Sequence, residues 1–258
     1  MLGIFTPYAR INGRTLAYVA VAELALLLAL WTFSSVSFLP SPMEVVDRLG
    51  VHLNRGLLFE LWVSLRLNLE ALAIATALAL ALSYTYVLPF MRPIANLVAR
   101  MRYFGTIGIA FVFYVLIADS HWIKVATIVF GILPYLTAAT VEMVRSVEDE
   151  QFHHARTLRL GHWGTTWQVL VRGRLDLAIE ALRQNASIGW MMVAMVEGTL
   201  RTEGGIGVML VEQSKYLKLA DLFAILLAIF VFGALQDLLF RFIRNRVAPY
   251  ATLDARSL

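Results

Sequence analysis

Three groups of residues have side chains of the kinds that chemistry uses. His153 and His154 are adjacent and His162 follows in the same stretch, a grouping of imidazoles that would suggest a transition metal. Adjacent helical residues point about 100° apart, however, and no nearby acid completes a familiar ligand spacing, so solvated histidines are the plainer reading and no metal is expected. Gly204-Gly205-Ile206-Gly207 has the glycines of a phosphate cradle. It lacks the Lys-Ser/Thr ending and a preceding strand, and no Walker motif occurs elsewhere, so the chain is expected to be no enzyme and to hydrolyse no ATP itself. Glu23, Glu70, Glu197 and Asp237 lie within or beside long apolar runs. A carboxylate there is costly and faces a bundle interior or water. Glu70 and Glu197 would line a translocation pathway or gate, or else pair with Arg66 or backbone donors, or lie in a dimer interface. Asp237 would sit near Arg241 on one helix face. Met191, Met192 and Met195 make a soft stripe that suits either a moving interface or ordinary packing.

The elements that position these residues follow from composition. The 258 residues are 59% hydrophobic and 16% charged, against roughly 45–50% and 25% in soluble domains. Mean hydropathy is +0.71. With no cysteine, disulfide scaffolds, thiolate catalysis and cysteine-ligated zinc are excluded. A hydrocarbon core of roughly 30 Å needs about 20 helical residues. The hydropathy pattern predicts an all-α polytopic bundle with about six spans, near 15–39, 62–91, 103–118, 122–141, 185–200 and 219–240. Short spans tend to line cavities. Neither an internal repeat nor a linker divides the chain, so one domain over 1–258 is expected. The first apolar run is too long for the core of a cleaved signal peptide and is taken as an uncleaved span.

Orientation follows from the basic residues. Arg10, Arg14, Arg92, Arg100, Arg102, Arg145, Arg156, Arg159, Arg172, Arg174, Arg183, Arg241, Arg244, Arg246 and Arg256 fall on one side. Arg48, Arg55, Lys124, Arg201, Lys215 and Lys218 fall on the other, and Arg66 lies at the mouth of the second span. This bias places both termini in the cytoplasm. The net charge of +4 is thereby assigned to loops between spans and not to nucleic acid.

The longest cytoplasmic segment runs from about 142 to 184. Acids at Glu148, Asp149 and Glu150 suit a helix start. Apolar spacing then predicts a helix through Leu160, a break at Gly161–Gly164, and a second amphipathic run from Thr166 to Leu182. Such a pair of helices would rest on headgroups or dock a partner.

Here the sequence resembles a known family. Arg145–Trp163, RSVEDEQFHHARTLRLGHW, is similar to the cytoplasmic coupling loop of ATP-binding-cassette (ABC) importer permeases. Leu39-Pro40-Ser41-Pro42-Met43-Glu44-Val45, Ser64-Leu65-Arg66, Gly205-Ile206-Gly207 and Asp237–Arg241 with Arg244 and Arg246 resemble further segments of the sulfonate, taurine and nitrate branch, in order over roughly 36–250. The departures are His153-His154-Ala155 where the family has Glu-Ala-Ala, Arg159 at its glycine, and Arg172 near its downstream proline.

The resemblance implies a dimeric type I importer permease in a bacterial inner membrane. It would work by alternating access, on a small solute delivered by a periplasmic binding protein. Partners would be ABC ATPase subunits, which bind the ATP and Mg, and a second permease, identical or related. The coupling loop would comprise His154, Ala155, Arg156, Thr157, Leu158, Arg159, Gly161, His162 and Trp163. Ala155 and Leu158 would be the apolar contacts, Trp163 an anchor, and Arg156 and Arg159 partners for carboxylates. Glu70, Glu197, Met191 and Met195 would line the pathway or gate. The alternative is a stand-alone ion- or proton-coupled carrier using Glu70 and Glu197; an intramembrane enzyme would need clustered reactive groups that the spans lack.

Overall fold

The computed structural model describes residues 13–33, 38–157, 160–201 and 204–249, with only the backbone of Asp149 and Arg156. Every regular element among them is helical. Helix α1 (Gly13–Thr32) buries none of its residues and runs along the outside of the bundle. It is tied at its end, where Trp31 Nε1 donates to the Pro40 carbonyl at 3.0 Å and the Trp31 ring lies 6.2 Å from Phe223.

Helix α2 (Pro42–Asn54) is an element the hydropathy pattern does not predict. Its start is nevertheless written in the sequence. Ser41 caps the Glu44 N–H while the Glu44 carboxylate accepts from the Ser41 N–H, with a proline at the first turn. The helix buries Val45 and His52, and His52 Nε2 meets Asp221 Oδ1 of α11 at 2.8 Å.

Helices α3 (Leu57–Thr85), α6 (Ser120–Arg145) and α9 (Leu175–Leu200) form the centre. On α3 the buried face is Leu57, Leu61, Ser64, Asn68, Ala71, Ala75, Ala79 and Ser83, spaced at three and four residues. Its small residues matter because lipid tails are as apolar as leucine, so helices in a bilayer associate through close packing and shared hydrogen bonds. Ser83 bonds Thr140 of α6, and Asn68 Nδ2 donates to Gln236 of α11 at 3.4 Å. At Gly189 of α9 an added Cβ would meet Asn68 Oδ1, so a larger residue there would require the Asn68 amide to shift. Leu72, Ile128, Ile132, Leu136 and Val193 fill the space between the three helices. Helix α11 (Leu219–Val247) closes a second cluster, with Leu57, Leu61, Trp190, Ile206 and Ile225.

Several boundaries differ from the sequence expectation. The first span stops at Thr32, the second at Thr85, and the last continues to Val247. The stretch expected as the span 103–118 holds helix α5, which covers only Thr106–Leu116, about 17 Å and too short to cross alone. It is preceded by α4 (Arg92–Arg100) and its flanking 3-10 turns, and Pro89–Tyr103 is bent by 109° from α5. Helix α9 begins at Leu175, ten residues before the expected 185. Lys124, counted with the loop cations although inside the expected span 122–141, is the fifth residue of α6 and is buried.

By length and composition α1, α3, α6 and α11 can cross a membrane, and the bent pair would make a fifth span. Helix α9 is long enough but carries Asp176, Glu180, Arg183 and Glu197; Glu197 is buried in the bundle, and Glu180 and Arg183 pair with each other.

The α2–α11 pair gives a first prediction. Asp221→Ala leaves buried His52 without its acceptor and should cost about 1.5–3 kcal/mol. The expected result is a lower melting temperature in detergent and faster proteolysis of the 42–54 segment; unchanged melting would mean that packing alone holds α2.

Candidate coupling surface and pathway

Two regions gather the residues singled out in the sequence, at opposite ends of the bundle. The first lies between α6 and α9. Helix α7 (Asp149–Thr157) follows α6 after a short turn, and α8 (His162–Thr166) runs directly into a π-helical turn, Trp167–Arg172. The amphipathic run expected from Thr166 to Leu182 is therefore interrupted at Gly173-Arg174, and the inter-helix segment ends at 174 instead of 184. Gly164, expected in the break, is helical, whereas Leu160 and Gly161 are not.

Phe152 anchors α7. It packs against a buried cluster of Met143 and Val144 of α6, Val147, Leu170 of the π turn and Ala178 of α9, a cluster that Leu80 and Tyr84 of α3 also flank. Ala155, expected as a partner contact, is 6% exposed and belongs to the inward face. It lines a cleft of about 900 Å³ with His153, His154, Leu160, Gln168 and Val169. Thr157 is exposed and its hydroxyl turns back to the His154 carbonyl at 2.6 Å. Gly161 precedes α8 in an extended conformation, and exposed His162 accepts the Thr166 hydroxyl on its carbonyl. Trp163 is 65% exposed. Trp167, one turn later on the same face and 56% exposed, was not foreseen, although the i,i+4 tryptophans are visible in the sequence. Leu158, Arg159 and the Arg156 side chain lie outside the described residues.

The second region surrounds Glu197, which has no exposed surface. Both its carboxylate oxygens lie 2.8 Å from the Ser64 hydroxyl of α3, and Oε2 accepts from the Gly207 N–H at 3.0 Å. Ser64 Oγ in turn accepts from the Ile206 N–H at 3.0 Å, and Glu60 accepts from the Gly205 N–H. Three successive N–H groups at the start of α10 (Ile206–Lys215) thus end on side chains of α3 and α9. These are orphan donors of a helix N-terminus, where carboxylates are favoured. The glycines are demanded by the fit. Gly205 has φ +121°, and a Cβ on Gly207 would lie 2.2 Å from the Ala194 carbonyl.

Beside this knot is a cavity of about 510 Å³ lined by Phe59, Trp62, Arg66, His121, Lys124 and Glu197. A shallower cleft of about 430 Å³, lined by Glu70, adjoins it through Trp62 and Arg66. Glu70 does not pair with Arg66; His121 Nε2 meets it at 3.1 Å. The structure thus brings Glu70 and Glu197 to one region. It does not gather the methionines there: Met191 is exposed, Met192 packs against Gly131, and Met195 lies against the central core. Asp237 pairs with Arg241 at 2.9 Å as expected, and also with Arg183, while Glu180 holds Arg183 and Arg244. Sequence reasoning missed Ser64 as a partner of Glu197, Glu60 altogether, and Lys124 as a residue of this cavity.

Gly207→Ala should force α10 off α9 and destabilise the protein by about 1–3 kcal/mol. Gly50→Ala, in the interior of α2 where an added Cβ meets nothing within 4 Å, should instead stabilise by about 0.5–1 kcal/mol. Melting curves of the two variants check the pair, and equal shifts would contradict the assigned fit.

Comparison with known proteins agrees with this architecture. No curated protein matches the chain. The family described as "Binding-protein-dependent transport system inner membrane component" matches residues 24–249, a stretch that includes α2 through α11. With helices apolar enough to span, a helical segment projecting between α6 and α9, and this match over most of its length, the chain belongs to the family of binding-protein-dependent transport system inner membrane components.

Proposed function

We propose that this chain is the membrane-spanning permease subunit of an ABC importer and that α7 and α8 form its contact with a partner ATPase. The observation that carries the reading is the seating of Phe152 against a buried cluster built from α6, the π turn and α9, which α3 also flanks. A rigid displacement of α7 would therefore move the three central helices as a body, as alternating access by domain rotation needs. ATP would be bound and hydrolysed with Mg in the partner, and the chain itself would do no covalent chemistry. The exposed pair Trp163 and Trp167 offers a partner the aromatic surface that anchors interfaces.

The basic loops put this end and both termini in the cytoplasm. A periplasmic binding protein would then deliver solute at the opposite end, near α2 and the start of α10. A second permease, identical or related, would complete the pathway. The sulfonate, taurine and nitrate branch remains the resemblance of choice for the solute. The carrier alternative finds no support in the geometry, because Glu197 is occupied by Ser64 and Gly207 and Glu70 by His121.

Purification of the tagged chain in mild detergent should bring down an ATPase subunit. Trp163→Ala with Trp167→Ala should weaken that association by roughly tenfold or more. Ala155→Asp, which places a charge on the buried face of α7, should abolish solute-stimulated ATP hydrolysis while the permease still inserts. An inserted Ala155→Asp permease with unchanged uptake would overturn the coupling assignment.

A further inference from the structure

Helix α2 divides into three sectors, and the bundle covers only one of them. Val45 and His52 are buried, and Leu49 between them packs on the cluster around Leu57, Leu61 and Ile225. Met43, Val46 and Leu53 form a second, apolar sector that is 69%, 54% and 41% exposed, with Gly50 in line between them. Glu44, Asp47 and Arg48 are all exposed and form a third, charged sector around part-buried Val51. At about 100° per residue the three sectors centre roughly 120° apart, so the apolar and charged residues do not share a face.

The contacts at the two ends of α2 fix its depth. Trp31, in the last turn of α1, donates to the Pro40 carbonyl just before α2 and lies against Phe223, while near the other end His52 meets Asp221. Asp221 and Phe223 are the third and fifth residues of α11. Gly56, at φ +95°, then turns the chain straight into α3. Helices α1, α3 and α11 are each long and apolar enough to cross a bilayer. Helix α2 is therefore level with the ends of three spans, where hydrocarbon gives way to headgroups. Immersion in hydrocarbon would strand Glu44, Asp47 and Arg48, and immersion in water would leave the apolar strip wet. A water-soluble partner would meet the charged sector first and leave that strip uncovered. The boundary of the bilayer gives each sector its own medium.

We propose that α2 lies in the headgroup layer of the leaflet away from α7, with Met43, Val46 and Leu53 seated among the first acyl carbons and Glu44, Asp47 and Arg48 in water. Through the His52–Asp221 pair the helix would also set the depth of the first turn of α11. The inference rests on the chain being a membrane protein and not on ATP coupling. The chain contains no cysteine, so a single cysteine in the full-length protein carries a nitroxide label without background. Met43→Cys, Val46→Cys, Leu53→Cys, Asp47→Cys and Arg48→Cys are each labelled and reconstituted into phosphatidylcholine vesicles. Electron paramagnetic resonance then compares collision with oxygen, which concentrates among acyl chains, and with a water-soluble nickel chelate. Labels at the Met43, Val46 and Leu53 positions should favour oxygen severalfold, and labels at the Asp47 and Arg48 positions should favour nickel.

Nickel access at the Val46 position as high as at the Asp47 position would put the strip in water and overturn the proposal. Shielding of the strip from both reagents would overturn it as well, by putting a second copy or another protein surface there. The unsubstituted chain supplies a check that does not depend on any variant folding. In vesicles carrying a diazirine on an upper acyl carbon, photolysis should label the α2 peptide as well as α1, which buries none of its residues. Label on α1 with none on α2 would sink the assignment. None of these readouts requires transport or an ATPase, so failure here and failure of the importer reading remain distinguishable.

Discussion

A carboxylate sealed from solvent sets the geometry of the end of the bundle away from α7. Glu197 would be intolerable in a low-dielectric interior without donors, and the nearest donors are the Ser64 hydroxyl and the unpaired N–H groups at the start of α10. Satisfying it therefore folds α10 back over the end of α9. Gly205 and Gly207 are what allow the backbone to come so near. Glu60 repeats the arrangement one turn away on α3. The cavity walled by Trp62, Arg66, His121 and Lys124 takes its shape from this knot, since α3 and α9 could not hold their spacing there without it.

The opposite end is organised by exposed charge. Asp237, Arg183, Glu180, Arg241 and Arg244 form a network between α9 and α11, partly in water, where the cost of holding charge is small. Between the two ends the contacts are close-packed and weakly polar, as suits helices surrounded by lipid. On the proposed reading, motion of α7 would pass to the bundle through the buried cluster on which Phe152 is seated, since a packed interior deforms as blocks. One end would then receive force and the other define an opening, with rigid helices between them.

The arginines around Tyr86 stand apart from both systems. Among the described residues they form no ion pair, and Arg92 and Arg145 instead hold the turn after α3 against α4 and the end of α6.

Sequence by itself determined the membrane class, the helical fold and the family, because these follow from apolar run length, from basic residues gathered in alternate loops, and from motifs in order. It also carried the start of α2, since a capping box is a local device read directly from Ser41 and Glu44. Tertiary structure alone decided the rest. That Ala155 faces inward and Trp167 outward depends on how α7 and the π turn sit on α6 and α9. That Glu70 meets His121 instead of Arg66, and that Glu197 belongs to Ser64 and the α10 N-terminus, are facts about residues 51 and 133 positions apart. The start of α9 at Leu175 was hidden for a related reason: a helix sheltered by its neighbours can carry charges that hydropathy counts against a span. Hydropathy and local spacing report what a segment prefers in lipid or water, whereas a buried polar group is governed by whichever partner the fold brings within reach.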